Sequence, residues 1–160
     1  SAYFYLHFYT VNTAKLSENV WKEAEKMLEQ IQKYPQKEEY QKLVEADRIN
    51  LYEREAEKGD DRKFLEETDR VFKENLKGDP AWKLYERKLV YLESKQPDIS
   101  REFERFLKKY PKVMDAYVEY SIYLCRNNKM TQAQRVYREG RKQTGMTSKR
   151  AEELRRKLGL

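Results

Sequence analysis

Three nine-residue stretches of this chain can be laid on one another. They are Thr-Asp-Arg-Val-Phe-Lys-Glu-Asn-Leu (68–76), Ile-Ser-Arg-Glu-Phe-Glu-Arg-Phe-Leu (99–107) and Ala-Gln-Arg-Val-Tyr-Arg-Glu-Gly-Arg (133–141). An aromatic recurs at Phe72, Phe103 and Tyr137, at steps of 31 and 34 residues, with Arg70, Arg101 and Arg135 two places ahead of it. A second pattern recurs between these stretches: Trp82-x-x-Tyr85 returns 35 residues later as Tyr117-x-x-Tyr120-x-x-Tyr123. Tyr3-x-x-Leu6-x-x-Tyr9 reads as an earlier copy and 40–56 as a divergent one. Recurrence at this period marks a supersecondary unit that cannot bury its own apolar side and must stack on its neighbours.

Each unit reads as helical. The apolar set Trp82, Leu84, Tyr85, Leu89, Leu92 follows the i, i+3, i+4, i+7 rule, as do Ile99, Phe103, Phe106, Leu107, Tyr110 and Met130, Ala133, Val136, Tyr137, Gly140. No segment sustains a two-residue alternation, so no strand is expected. The spacing predicts about nine helices joined by short loops. Tyr34-Pro35, Asp79-Pro80 and Tyr110-Pro111 read as helix ends, because proline cannot continue a helix and turns the residue before it away from helical geometry. Asp61, Asp98 and Thr131 are N-cap candidates, and Gly59, Gly78 and Gly145 suit the position just past a helix. A last helix is expected from Ser148, where Leu154, Leu158 and Leu160 offer a thin apolar stripe suited to capping the final hairpin. The 45-residue step from Pro35 to Pro80 exceeds the repeat period and implies longer helices or an insertion there.

Composition removes several chemistries. One Cys and one His cannot build a Cys/His zinc site, and a lone Cys125 cannot close an intramolecular disulfide. The five glycines are isolated, so no phosphate-cradling loop is present. His7 sits among Tyr3, Phe4, Tyr5, Phe8 and Tyr9 and reads as a side chain of an aromatic helix rather than a base. Arg126 beside Cys125 could lower a thiol pKa, but packing explains that cysteine more simply. The carboxylate pairs Glu66-Glu67 and Glu152-Glu153 fall in charged helices and read as solvated. No active site, metal or cofactor is expected. No apolar run reaches the length of a membrane span, and the opening Ser1-Ala-Tyr-Phe reads as a piece cut from a longer protein of the cytoplasm or nucleus.

Charge is the one feature that asks for a ligand. The net charge of +6 conceals a gradient: residues 1–80 carry 14 basic and 18 acidic side chains, and residues 126–160 carry 11 basic and 3 acidic. Arg135, Arg138 and Lys142 fall at i, i+3 and i+7, opposite the apolar face, with Arg141 beside them. Lys149, Arg150, Arg155, Arg156 and Lys157 follow on the last helix, and Lys108, Lys109 and Lys112 form a basic loop one repeat earlier. Such a patch suits RNA phosphates or an acidic partner, against the plainer reading of a solvated face with cations near helix C-termini.

The aromatic and arginine pattern resembles the HAT (half-a-TPR) repeat, whose first helix carries a Trp-x-x-Tyr-like motif and whose second carries an Ala-Arg-x-Val-Tyr-like motif. The match is best over 81–145. The ordinary tetratricopeptide signature Trp-x-x-Leu-Gly-x-x-Tyr is absent, since Trp82 is followed by Lys83-Leu84-Tyr85-Glu86. The resemblance implies an all-α fold, an α-solenoid of antiparallel hairpins over 1–145, with 146–160 as a basic capping helix. Phe72, Trp82, Tyr85, Phe103, Tyr117, Tyr120 and Tyr137 would be its packing signature. It further implies a non-enzymatic nuclear scaffold binding protein subunits of a splicing, 3′-end-processing or ribosomal-RNA-processing complex, with homodimerisation common in the family. Direct RNA binding through the basic C-terminal region and a tetratricopeptide-type adaptor outside RNA processing, or in the cytoplasm, stay open beside it.

Overall fold

A computed structural model describes residues 18–34, 38–74 and 78–160, apart from the side chains at 38–40, 42 and 43. His7 and the Tyr3-x-x-Leu6-x-x-Tyr9 copy lie outside the described residues, as do Pro35 and Leu76. The described chain is helical with no strands. Its helices are α1 (Glu18–Gln32), α2 (Glu38–Glu57), α3 (Arg62–Lys73), α4 (Gly78–Glu93), α5 (Ser100–Lys109), α6 (Met114–Arg126), α7 (Met130–Thr144) and α8 (Lys149–Lys157). The chain forms two compact units that divide between Arg70 and Val71.

In the first unit Trp21, Ala24, Leu28 and Ile31 line one stripe of α1 and pack on Val44 and Leu51 of α2. The guanidinium of Arg54 lies 4.5 Å from the Trp21 ring centre, so an aromatic sequence position that the repeat pattern passes over anchors this hairpin. Glu18 accepts from Arg54 at 3.5 Å and from Lys58, which with the reversed order of contacts makes α1 and α2 antiparallel. The long Pro35-to-Pro80 step is explained by α2, which runs for 20 residues. Gly59, at φ +112°, closes it as expected.

In the second unit, successive helices again pack antiparallel. Trp82 of α4 meets Phe106 of α5 with ring centres 5.0 Å apart, while Lys88 reaches Glu102. The contact between repeats recurs. Phe72 packs on Tyr85 with centres 5.0 Å apart, and one period later Phe103 stacks on Tyr120 at 4.7 Å and 8°. The third aromatic, Tyr137, donates its hydroxyl to the Ala151 carbonyl at 3.0 Å instead. There α8 takes the place of a further hairpin, burying Ala151, Leu154 and Leu158. All seven signature aromatics, Phe72, Trp82, Tyr85, Phe103, Tyr117, Tyr120 and Tyr137, are buried.

Several local expectations need correction. Pro80 stands in the first turn of α4, where its missing N–H costs nothing, rather than behind a finished helix. Gly78 is the first residue of α4, not a residue past α3. A Cβ there would sit 2.6 Å from Val113 Cγ2, so close approach is what the glycine serves. Thr131 lies inside α7, whose N-cap is Lys129. Asp98 lies one residue before the Ile99 N-cap of α5, yet its side chain accepts from the Ser100 N–H at 2.8 Å. Ser148 does cap α8, accepting from the Ala151 N–H at 3.1 Å, and Gly145 closes α7 in the left-handed region.

Gly140 occupies, one period on, the position of Phe106, and it receives Tyr117 as Phe106 receives Trp82. A Cβ at 140 would lie 2.6 Å from Tyr117 Cβ and would also strike Met146. Gly140→Ala is expected to cost about 1–3 kcal/mol by overpacking, despite alanine's better helix propensity, measured by urea denaturation. A double-mutant cycle on Phe103 and Tyr120 should return a coupling of about 0.5–1.5 kcal/mol. Strict additivity would reduce that stack to space filling.

Candidate interaction surface

The tyrosines are spent inside the fold. Tyr85 donates to Glu102 at 2.5 Å, Tyr117 to the Pro111 carbonyl at 3.1 Å and Tyr120 to Glu104 at 3.0 Å. Tyr123 accepts from the Ile99 N–H at 3.1 Å and donates to Asp98 at 3.3 Å. Burial pushes the Tyr120 phenol up to about 12, with the Glu104 hydrogen bond adding to it. These hydroxyls tie helices to one another or to the loops between them, and none of these rings is presented to solvent.

The basic loop is likewise engaged in part. Lys109 donates to the Phe72 carbonyl and to that of Glu74 at 3.3 Å, while Lys112 donates to the Gln143 carbonyl at 3.0 Å. These lysines satisfy carbonyls at helix ends, which have no partner within the helix itself. Only Lys108 of that trio stays exposed without a hydrogen bond among the described residues. The recess of about 350 Å³ beside them, bounded by Gly78, Asp79, Tyr110 and Val113, therefore has its cations already occupied.

The C-terminal cations divide into two sets. Arg126 holds Glu93 at 2.9 Å, Lys129 holds Asp98 at 2.9 Å, Arg150 pairs with Glu119, and Arg155 holds Glu152 at 2.9 Å. Arg150 and Arg155, two residues of the expected patch, thus have intramolecular carboxylates. The other seven, Arg135, Arg138, Arg141, Lys142, Lys149, Arg156 and Lys157, are exposed with no ion pair among the described residues. They lie on α7 and α8, which are joined by the Tyr137–Ala151 and Gln134–Leu158 hydrogen bonds. Glu152 is held below the ordinary carboxylate range chiefly by its hydrogen bond to Arg155, then by the charges of Arg155, Arg141 and Arg156. Cations from α7 and α8 therefore act on a single carboxylate.

Residues considered for chemistry resolve differently. Cys125 is half-buried at the end of α6, and burial pushes its thiol up, away from the reactive thiolate. Among the described residues no cluster of His, Cys, Asp or Glu is arranged to hold a metal ion. Glu66 is exposed as expected, but Glu67 is buried, accepting from Arg48 at 3.2 Å and Arg70 at 2.7 Å. Arg70 is exposed like its repeat counterparts Arg101 and Arg135, and it pairs with Glu67 and with Glu45 of α2. Lys88, only 5% exposed, bonds Glu102 at 3.2 Å beside the Tyr85 hydroxyl. No helix is long and apolar enough to cross a membrane among the described residues.

Asp98 is the most strongly perturbed carboxylate. It accepts from Ser100 and from Lys129 as well as Tyr123, and the Ser100 hydrogen bonds hold its carboxyl far below the ordinary carboxylate range. A carboxyl lowered in this way stabilises the fold fully above its unfolded value of about 3.9 and loses that contribution as pH falls further, toward the folded value. Asp98→Ala is expected to cost about 1 kcal/mol at neutral pH, the size of a lost helix-start cap. The difference from wild type should shrink below about pH 4 when thermal melts are followed against pH.

The helices and ring contacts are this chain's own evidence for its fold, for no protein-family model, curated protein or solved structure matches it significantly.

Proposed function

We propose that this chain is a non-enzymatic repeat scaffold, a solenoid of HAT-type helical hairpins that binds protein subunits within a nuclear RNA-processing assembly. The observation that carries the repeat reading is the ring contact that recurs one period apart, Phe72 on Tyr85 and Phe103 on Tyr120. A motif that repeats in sequence and again in its packing partner is what stacked hairpins require. The RNA-processing context comes from the HAT resemblance of the residues over 81–145. A scaffold offers helix faces rather than a cleft, and the side chains left for a partner lie on the exposed faces of its helices.

Affinity purification of the full-length parent protein, followed by identification of co-purifying subunits, tests this reading. Splicing, 3′-end-processing or ribosomal-RNA-processing subunits are expected. Recovery of chaperone or kinetochore proteins alone would favour a tetratricopeptide-type adaptor, and recovery of no stoichiometric partner would remove the scaffold.

A further inference from the structure

We propose that the outward face of α7 and α8 docks an acidic protein segment, whose Asp and Glu side chains meet Arg135, Arg138 and Lys142 on α7 and Lys149 and Arg156 on α8. The proposal rests on the scaffold reading and supplies the chemistry of the partner.

Three observations carry it. The first is the unspent charge. Four cations between 126 and 157 already hold carboxylates of this chain, whereas these five are exposed and hold none among the described residues. The second is geometric. Residues 135, 138 and 142 lie along about 10 Å of one helix face at 1.5 Å per residue, and 149 and 156 lie two turns apart on the antiparallel neighbour. A partner helix with acids at one-turn intervals repeats that rise. The third is the response of Glu152. The Arg155 hydrogen bond chiefly holds this carboxylate low, and the charges of Arg141 on α7 and Arg156 on α8 add to it, so exposed cations of both helices reach one carboxylate.

RNA fits this face less well. Recognition of single strands draws on exposed rings for base stacking. Tyr117, Tyr120, Tyr123 and Tyr137 are all buried, and Met130 is the large apolar side chain exposed on α7. Arginine forks also bind carboxylates in bidentate fashion, and arginines make up most of the five.

The test is fluorescence anisotropy of a labelled Glu/Asp-rich peptide titrated with the purified 160-residue chain at low salt. Saturable binding that weakens as salt is added is expected. The variant R135E/R138E/K142E should weaken it about tenfold or more, while K22E/K26E, a reversal of two exposed cations on α1, should leave it within about twofold. Circular dichroism reports whether the reversed chain folds. If it does not, R135Q/R138Q/K142Q, which keeps side-chain size, should still weaken binding about threefold. Affinity unchanged by these substitutions overturns the proposal. So does an unstructured RNA homopolymer bound more tightly than the peptide through the same residues. Loss of peptide binding from the wild type while subunits still co-purify removes the acidic segment and leaves the scaffold. Absence of co-purifying subunits removes the scaffold, and the titration still reads the face directly.

Discussion

The Val71–Leu160 unit depends on aromatic rings gripped between successive helices. Phe72, Tyr85, Phe106, Trp82, Phe103 and Tyr120 touch in that order, with ring centres between 4.7 and 6.4 Å apart. Rings bury large apolar areas with few rotatable bonds, so they fix the approach of two helices at low entropic cost. The hydroxyls then add direction, since each buried phenol must find an acceptor in one particular neighbour. This explains how a chain with 39% charged residues and a mean hydropathy of −1.10 still holds a defined core. Aliphatic side chains such as Leu89, Ile99, Val118 and Leu124 fill the space around the rings.

Around that core the charges separate by role. Buried ones knit helices together: Glu67 between Arg48 and Arg70, and Glu102 between Lys88 and Tyr85. Breaking such a pair leaves an uncompensated buried group, a far larger cost than losing an exposed ion pair. Lysines 109 and 112 serve as helix-end ligands. The expected basic loop is thus largely structural, and unengaged cations concentrate on α7 and α8.

Much of this was legible from residue order. The period of the aromatics, the Gly145 end of α7 and the Ser148 start of α8 all follow from local rules of spacing and capping. The seven signature aromatics were identifiable because a repeat forces the same position inward each time. Other features depended on partners distant in sequence. Nothing beside Glu67 or Lys88 distinguishes them from solvated neighbours, since their burial is decided by α2 and α5 respectively. Gly78 and Pro80 misled for a related reason: both are common just beyond a helix and in its first turn, and only the Val113 contact reveals which applies here. Trp21 followed neither repeat motif, although a tryptophan at the head of an apolar stripe was a signal available from sequence. Arg150 looked the same as its free neighbours until Glu119 was placed beside it, whereas the Arg155 partner, Glu152, stands three residues back on the same helix.

The division between rings that end in carbon and rings that end in a bonded oxygen bears on how such a repeat can diverge. Phe72, Phe103 and Phe106 hold their neighbours through ring faces and shape without a hydrogen bond, so other aromatic groups of similar size can replace them in small steps. Tyr85, Tyr117, Tyr120, Tyr123 and Tyr137 are each coupled to a second residue, often on another helix. Where that residue is Glu102, Glu104 or Asp98, ring and carboxylate are tied into one evolutionary unit and must drift together. Tyr110, whose buried hydroxyl finds no partner among the described residues, is free of that tie and could become phenylalanine at no cost in hydrogen bonds.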